Sequence, residues 1–215
     1  NQKNAESVST CGYLHVMYRI IKQAQARQVL MIGCAGGTLA TMLHELGCNV
    51  TVVDINPHAF TLAKRYFRMP EAVKCVVEDG VEYLLKTSQR YDAIAIDAFD
   101  SDGTVPEQFT SGDFFKVVRE VLDPLGVVAI NVMVAHDLDM LADRIAQNME
   151  SANMPAVLFD RPGHQDRNVI IAGGAVDHMQ IASSRKPVGV RQELLGIIRR
   201  IPKKKAVPEF GSIKP

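Results

Sequence analysis

The chain has 215 residues, 47% of them apolar and 22% charged, which describes one globular domain or a domain with an appendage. A chain of this length buries roughly 70% of its extended surface and needs no disulfide or metal staple. The 24 basic and 24 acidic residues cancel, but unevenly: residues 1–182 hold 15 Lys/Arg against 22 Asp/Glu, and residues 183–215 hold 9 against 2. Asn1–Thr10 is polar without a signal-peptide pattern, and the chain opens without Met, as a piece of a longer protein would. No apolar run approaches the ~18–20 residues of a membrane span. Cysteines stand at 11, 34, 48 and 75, without a Cys-x-x-Cys pair or zinc spacing, so a reduced, cytoplasmic compartment and no metal are expected.

Hydrophobic periodicity then alternates along the chain. It predicts a helix over Tyr13–Ala26, a strand over Gln28–Ile32 and a helix over Thr38–Leu46 closed by Gly47. A strand over Asn49–Asp54 and a helix over Pro57–Arg68 follow, then a strand over Val73–Glu78 and a short helix over Val81–Lys86. Asp92–Asp97 reads as a strand and is followed by a long loop to Thr110. Gly112–Leu122 reads as a helix, Gly126–Val134 as a strand and Leu138–Ala152 as a helix. Two last strands, Ala156–Arg161 and Asn168–Gly173, are separated only by Pro162–Arg167. A parallel crossover needs about a dozen residues or more, so this pair is an antiparallel hairpin.

The expected fold is therefore α/β: a seven-stranded, mostly parallel, doubly wound sheet with a C-terminal antiparallel hairpin. Five βα units ending in such a hairpin resemble the class I S-adenosylmethionine-dependent transferases, whose Rossmann-like sheet ends this way. Residues 183–215 are expected to be a basic extension and not a separate domain.

Four stretches carry chemistry. Val29-Leu-Met-Ile-Gly33-Cys-Ala35-Gly36-Gly37-Thr-Leu39 is a glycine-rich strand-to-helix turn that lets a ligand approach the backbone at the carboxyl edge of the sheet. No Gly-Lys-Ser/Thr follows, which excludes a Walker A loop, and a plain tight turn has the same glycines. Asp54 ends the second strand 21 residues after Gly33, where a carboxylate accepts hydrogen bonds from both ribose hydroxyls; Ile55 follows it. Asp54 could instead cap the next helix, a job for which Asn56 is better placed. Glu78-Asp79-Gly80 lies over the same edge, where Asp79 either meets a base or caps the helix from Val81. Asp97-Ala98-Phe99-Asp100 follows the fourth strand, beside the end of the first, where ligands bind in open α/β sheets. Residues 98–115 hold Asp100, Asp102, Glu107 and Asp113 with no Lys or Arg, so the loop repels itself unless water or a cation offsets it. A partly desolvated strand-end carboxylate such as Asp97 suits a general base. The six histidines share no spacing and read as surface or helix residues.

These elements together resemble the spermidine synthase family of polyamine aminopropyltransferases over about residues 13–134. Val77-Glu-Asp79-Gly80-Val-Glu-Tyr-Leu84 is similar to the family's Gly-Asp-Gly-Phe-Glu-Phe-Leu. Tyr91-Asp-Ala-Ile-Ala-Ile-Asp97-Ala-Phe-Asp100 is similar to its Tyr-Asp-Val-Ile-Ile-x-Asp-x-x-Asp. The resemblance implies that Gly33, Ala35, Gly36, Gly37, Asp54, Ile55, Asp79 and Gly80 hold decarboxylated S-adenosylmethionine, or S-adenosylmethionine, as co-substrate. In it Asp54 takes the ribose, Asp79 the adenine end, Asp97 a proton from the attacking amine, and Asp100 the polyamine. Residues 1–182 would then be the nucleoside-binding transferase domain. The implied partner is a small cationic amine; nucleic acid is disfavoured except through the basic end, and a homodimer stays open. The chain departs from the family in the third Gly and the Asp of its glycine loop, in Ser101-Asp-Gly-Thr-Val-Pro106, and in Cys11-Gly-Tyr13-Leu-His15 before the first strand. A methyltransferase on the same fold, and a non-catalytic binding module acting through the basic end, are the competing readings.

Overall fold

The computed structural model describes residues 11–180, 194 and 196–203. Asn1–Thr10, the expected boundary at 182/183 and Lys204-Lys205 lie outside the described residues. Apolar runs form the central strands β1 (Gln28–Ile32), β2 (Asn49–Asp54), β4 (Tyr91–Ile96) and β5 (Leu122–Val134), each buried over most of its length. Such runs belong in a sheet covered on both faces. β3 (Lys74–Val77), β6 (Ala156–Asp160), β7 (Arg167–Gly174) and β8 (Ile198–Arg200) complete the order β3-β2-β1-β4-β5-β7-β6-β8. β1 to β5 run parallel, and β7 runs antiparallel to both β5 and β6. The expected hairpin is present.

The expected seven strands are corrected to eight among the described residues. β8 falls inside the basic extension and pairs antiparallel with β6. Ile-Arg-Arg has no apolar alternation by which to announce a strand. It pairs because Arg200 answers two buried carboxylates, Asp143 and Asp160.

Side chains alternate between two cores. On one face Met31, Ala95 and Ala129 pack with α1 (Gly12–Gln23), α2 (Thr38–Glu45) and α3 (Pro57–Phe67). On the other Leu30, Ile94 and Val128 pack with α4 (Gly80–Lys86), α5 (Gly112–Val121) and α6 (Leu141–Ser151). α6 starts three residues later than its apolar pattern suggests. The Asp139 carboxylate accepts from the backbone N–H groups of Ala135 and Leu141 and holds the preceding turn open. Asn56 and Ser111 cap α3 and α5 through their side chains. Among the described residues no helix is long and apolar enough to cross a membrane.

Candidate active site

β1 and β4 are neighbours, yet the chain leaves β1 toward β2 and β3 on one side and leaves β4 toward β5 on the other. Their carboxyl ends therefore splay apart over a crevice, the usual ligand position in an open α/β sheet. A cleft of about 660 Å³ lies there, lined by the loops after β1, β2, β3 and β4. Gly33 sits at its base with φ +92°, and a Cβ at that position would collide with the carbonyl oxygen of Asp97. Only glycine lets the two strand ends approach this closely.

Asp54 does not cap α3. One of its oxygens accepts from the Cys34 backbone N–H and the other from that of Asn56, both at 2.8 Å. The carboxylate thus braces the glycine-rich turn and keeps a further lone pair on each oxygen. Asp79 takes the capping role, and only one of its oxygens is used for it. Its Oδ1 caps α4 by accepting from the Val81 and Glu82 N–H groups, while Oδ2 accepts from Gln108 at 3.1 Å inside the cleft. Gly33, Ala35, Ile55, Gly80, Asp97 and Asp100 line the same cleft. Gly36 and Gly37 do not. Gly36 faces the Phe67 ring, and a Cβ on Gly37 (φ +68°) would meet the Met69 sulfur at 2.6 Å, so both glycines allow close packing on α3 and the turn after it.

Asp97 is buried on the α1 face of the sheet. Asn131 donates to its Oδ1 at 2.9 Å, and the Tyr13 hydroxyl donates to its Oδ2 at 3.3 Å. Desolvation pushes the Asp97 carboxyl up, against the opposing pull of these two hydrogen bonds. Burial, reinforced by the Asp97 charge, pushes the Tyr13 phenol up as well, so that it stays a donor. Asn131 also carries a buried Oδ1 with no hydrogen-bond partner among the described residues. In sequence Asn131 is the one amide in the apolar run Val127–Val134, a signal that sequence reasoning passed over. Tyr13 gave no comparable signal.

Six carboxylates line the cleft, those of Asp54, Glu78, Asp79, Asp97, Asp100 and Glu107; among the described residues no Lys, Arg or His lines it, and Lys86 pairs with Glu78 at 2.6 Å from beside it. Asp102 and Asp113, the other members of the acidic loop, turn elsewhere: Asp102 accepts from Thr104, and Asp113 pairs with Lys116. Ile55 and Phe99 add exposed apolar surface to the cleft at 74% and 37% accessibility. Phe109, delivered by a 3₁₀ turn at Glu107–Phe109, closes the side next to Gly80. The basic residues at the other end of the molecule are partly consumed by the fold. Arg200 pairs bidentately with Asp143, which lies fully buried, and singly with Asp160.

The profile of the spermine/spermidine synthase domain matches residues 14–159. The chain is 31% identical over 169 residues to a probable polyamine aminopropyl transferase of Bifidobacterium longum, covering 74% of this chain and 37% of that one. It is 36% identical over 110 residues to a polyamine aminopropyltransferase of Chromobacterium violaceum, covering 49% and 42%. The chain thus spans less than half the length of these curated relatives. Among solved structures, a probable spermidine synthase from Corynebacterium glutamicum superposes with a TM-score of 0.73 at 20% identity, covering 91% of this chain and 76% of that one. Human methyltransferase-like protein 13, in complex with SAH, gives 0.59 at 20% identity and 85% of each chain. At these identities the structural likeness speaks for the fold, that of the class I methyltransferases.

Proposed function

The chain belongs to the spermine/spermidine synthase family, and from that premise we propose that it transfers an aminopropyl group from decarboxylated S-adenosylmethionine to an amine, with Asp97 as general base. The observation that carries this reading is the cleft itself: six carboxylates, of which only Glu78 is ion-paired among the described residues, around a base that is buried and braced. Both substrates are cations, a sulfonium and an ammonium, and such a cleft attracts them while repelling a donor that keeps its carboxylate.

The loop Gly33–Ala35 and the spare lone pairs of Asp54 suit a ribose, Ile55 supplies an apolar face for adenine, and Asp79 lies within reach of its amino group. An alkylammonium, with a pKa of about 10.4 for a lysine-type amine, must lose a proton before its nitrogen can attack. Asp97 accepts that proton, and its raised pKa brings it closer to the amine it serves. The N–C bond forms as the C–S bond breaks, and methylthioadenosine leaves. Asp100 holds the incoming amine at the mouth of the cleft.

Asp97→Asn tests the assignment. Turnover falls by roughly 10²–10⁴-fold, the usual worth of a general base, while calorimetry still measures the wild-type affinity for methylthioadenosine. Full activity in that variant would end the mechanism, and failure of the wild type to bind any of these nucleosides would favour a non-catalytic role for the fold.

A further inference from the structure

The turn Glu107–Phe109 brings to the cleft a side chain that the transfer chemistry does not use. Gln108 lines the cleft and donates from Nε2 to Asp79 Oδ2 at 3.1 Å. The turn is anchored on its far side. Phe109 is buried and meets the Phe114 ring edge-on, and Asn148 on α6 donates to the Thr110 carbonyl at 2.8 Å. Gln108 itself is exposed, and its side chain makes no other hydrogen bond among the described residues.

This contact decides what the pair offers a ligand. Asp79 Oδ1 is occupied by the Val81 and Glu82 N–H groups, so Oδ2 is the oxygen left to the cleft, with one lone pair taken by Gln108 and one free. A carboxylate only accepts, so the Gln108 amide turns its NH2 toward Asp79; the reverse orientation would set two acceptors against each other. Gln108 Oε1 is thereby committed as a second, unfilled acceptor. Two acceptors side by side, one anionic and one neutral, match a single nitrogen that carries two N–H bonds. A carbonyl in that place would meet only lone pairs. Ile55, exposed in the same cleft, gives the ring bearing that nitrogen an apolar seat.

We infer that Gln108 reads the base of the nucleoside: its Oε1 accepts one N–H of the adenine amino group while Asp79 Oδ2 accepts the other, so the site selects a 6-aminopurine over a 6-oxopurine. This rests on the nucleoside half of the transfer reading above and adds to it a residue that sets base specificity. Gln108 comes from the loop after β4, outside the glycine-rich turn and the strand-end carboxylates that mark the nucleoside in sequence.

Calorimetry on the full chain compares methylthioadenosine with two analogues, one methylated on the amino nitrogen and one lacking the amino group. In the wild type the methyl costs roughly two- to tenfold in affinity, the worth of one neutral hydrogen bond, and loss of the whole group costs more. Gln108→Met keeps the side-chain length without the amide, at an exposed position outside both cores. In that variant both ratios fall by the same factor, and the share owed to Asp79 remains. Equal wild-type affinity for the methylated analogue, or ratios unmoved in Gln108→Met, overturns the inference. A fall confined to the deaminated analogue overturns it too, because Gln108 would then only orient Asp79. Turnover of decarboxylated S-adenosylmethionine with aliphatic diamines and triamines, followed alongside, tells the two levels apart. Ratios that depend on Gln108 without any turnover sink the transfer reading and leave the base reader standing. Turnover with unmoved ratios does the opposite, and a wild type that binds none of the three nucleosides ends both.

Discussion

Asp97 shows how a single carboxylate is set between two demands. Burial disfavours its charge, while the Asn131 amide and the Tyr13 hydroxyl favour it. The net direction is upward, so Asp97 loses its proton at a higher pH than an ordinary aspartate. In its proposed role as general base Asp97 acts only when deprotonated, so activity is expected to rise with pH through that value. Tyr13→Phe removes one of the two bonds that favour the charged form and moves the pKa further up. The acid limb of the kcat/KM profile is therefore displaced to higher pH, with the plateau recovered on the alkaline side. A lowered plateau with an unmoved limb would mean that Tyr13 only packs. The role of the tyrosine was not legible in sequence because it stands 84 residues from Asp97 and meets it only through the fold, which lays α1 over β5 and β7. Asp54 and Asp79 were legible because each lies at the end of its own strand, where the sheet alone decides the placement. For Gly36 and Gly37 a glycine near a nucleoside turn can serve the ligand or the packing, and the packing partners, Phe67 and Met69, lie about 30 residues on, out of reach of a local motif.

At the level of elements, the parallel strands announced themselves by runs of buried Val, Ile and Ala, and the hairpin by a connection too short for a crossover. β8 did not, because its place is set by charge. Asp143 on α6 is fully buried and receives both Nη atoms of Arg200 at 2.6 and 3.0 Å, and Asp160 on β6 receives Nε at 3.0 Å. Desolvation alone would raise the Asp160 carboxyl, but hydrogen bonds from Arg167 and Arg200 outweigh it and hold the group below its ordinary range. Removing Arg200 strands a buried carboxylate, and such a loss typically costs about 3–5 kcal/mol. Chemical denaturation of Arg200→Ala should show a destabilisation of that order. Because Asp160 is depressed, its contribution is present above the ordinary carboxylate pKa and fades as pH falls through the lowered value, so the gap between wild type and variant narrows in acid. Arg200→Lys should recover only part of the stability, since one ammonium cannot reproduce the bidentate pair with Asp143. A variant as stable as wild type at neutral pH would make β8 an incidental strand.

On the scale of the whole molecule, the cancelled charge of the sequence hides a local concentration of one sign. The acidic excess of residues 1–182 gathers its chemistry at one sheet edge, as six carboxylates around one cleft. Part of the basic end is used internally, where Arg200 neutralises Asp143 and Asp160 and Arg199 donates to the carbonyls of Val176 and Asp177. Neither fact could be read from composition, which reports only the cancelled total. The field of the cleft predicts how the donor is chosen. S-adenosylmethionine differs from its decarboxylated form by one carboxylate on the three-carbon arm, the part that the proposed reading directs toward Asp97 and Asp100. Two like charges about 4 Å apart repel by about 1 kcal/mol in water and about 4 kcal/mol in the medium of a protein surface. One such encounter therefore favours the decarboxylated donor by on the order of tenfold or more. Calorimetry of the two nucleosides at rising salt checks this, because screening weakens repulsion between exposed charges and should shrink the ratio. Equal affinities at low salt, or tighter binding of S-adenosylmethionine, would show that the carboxylates do not face the arm and would turn the reading toward methyl transfer.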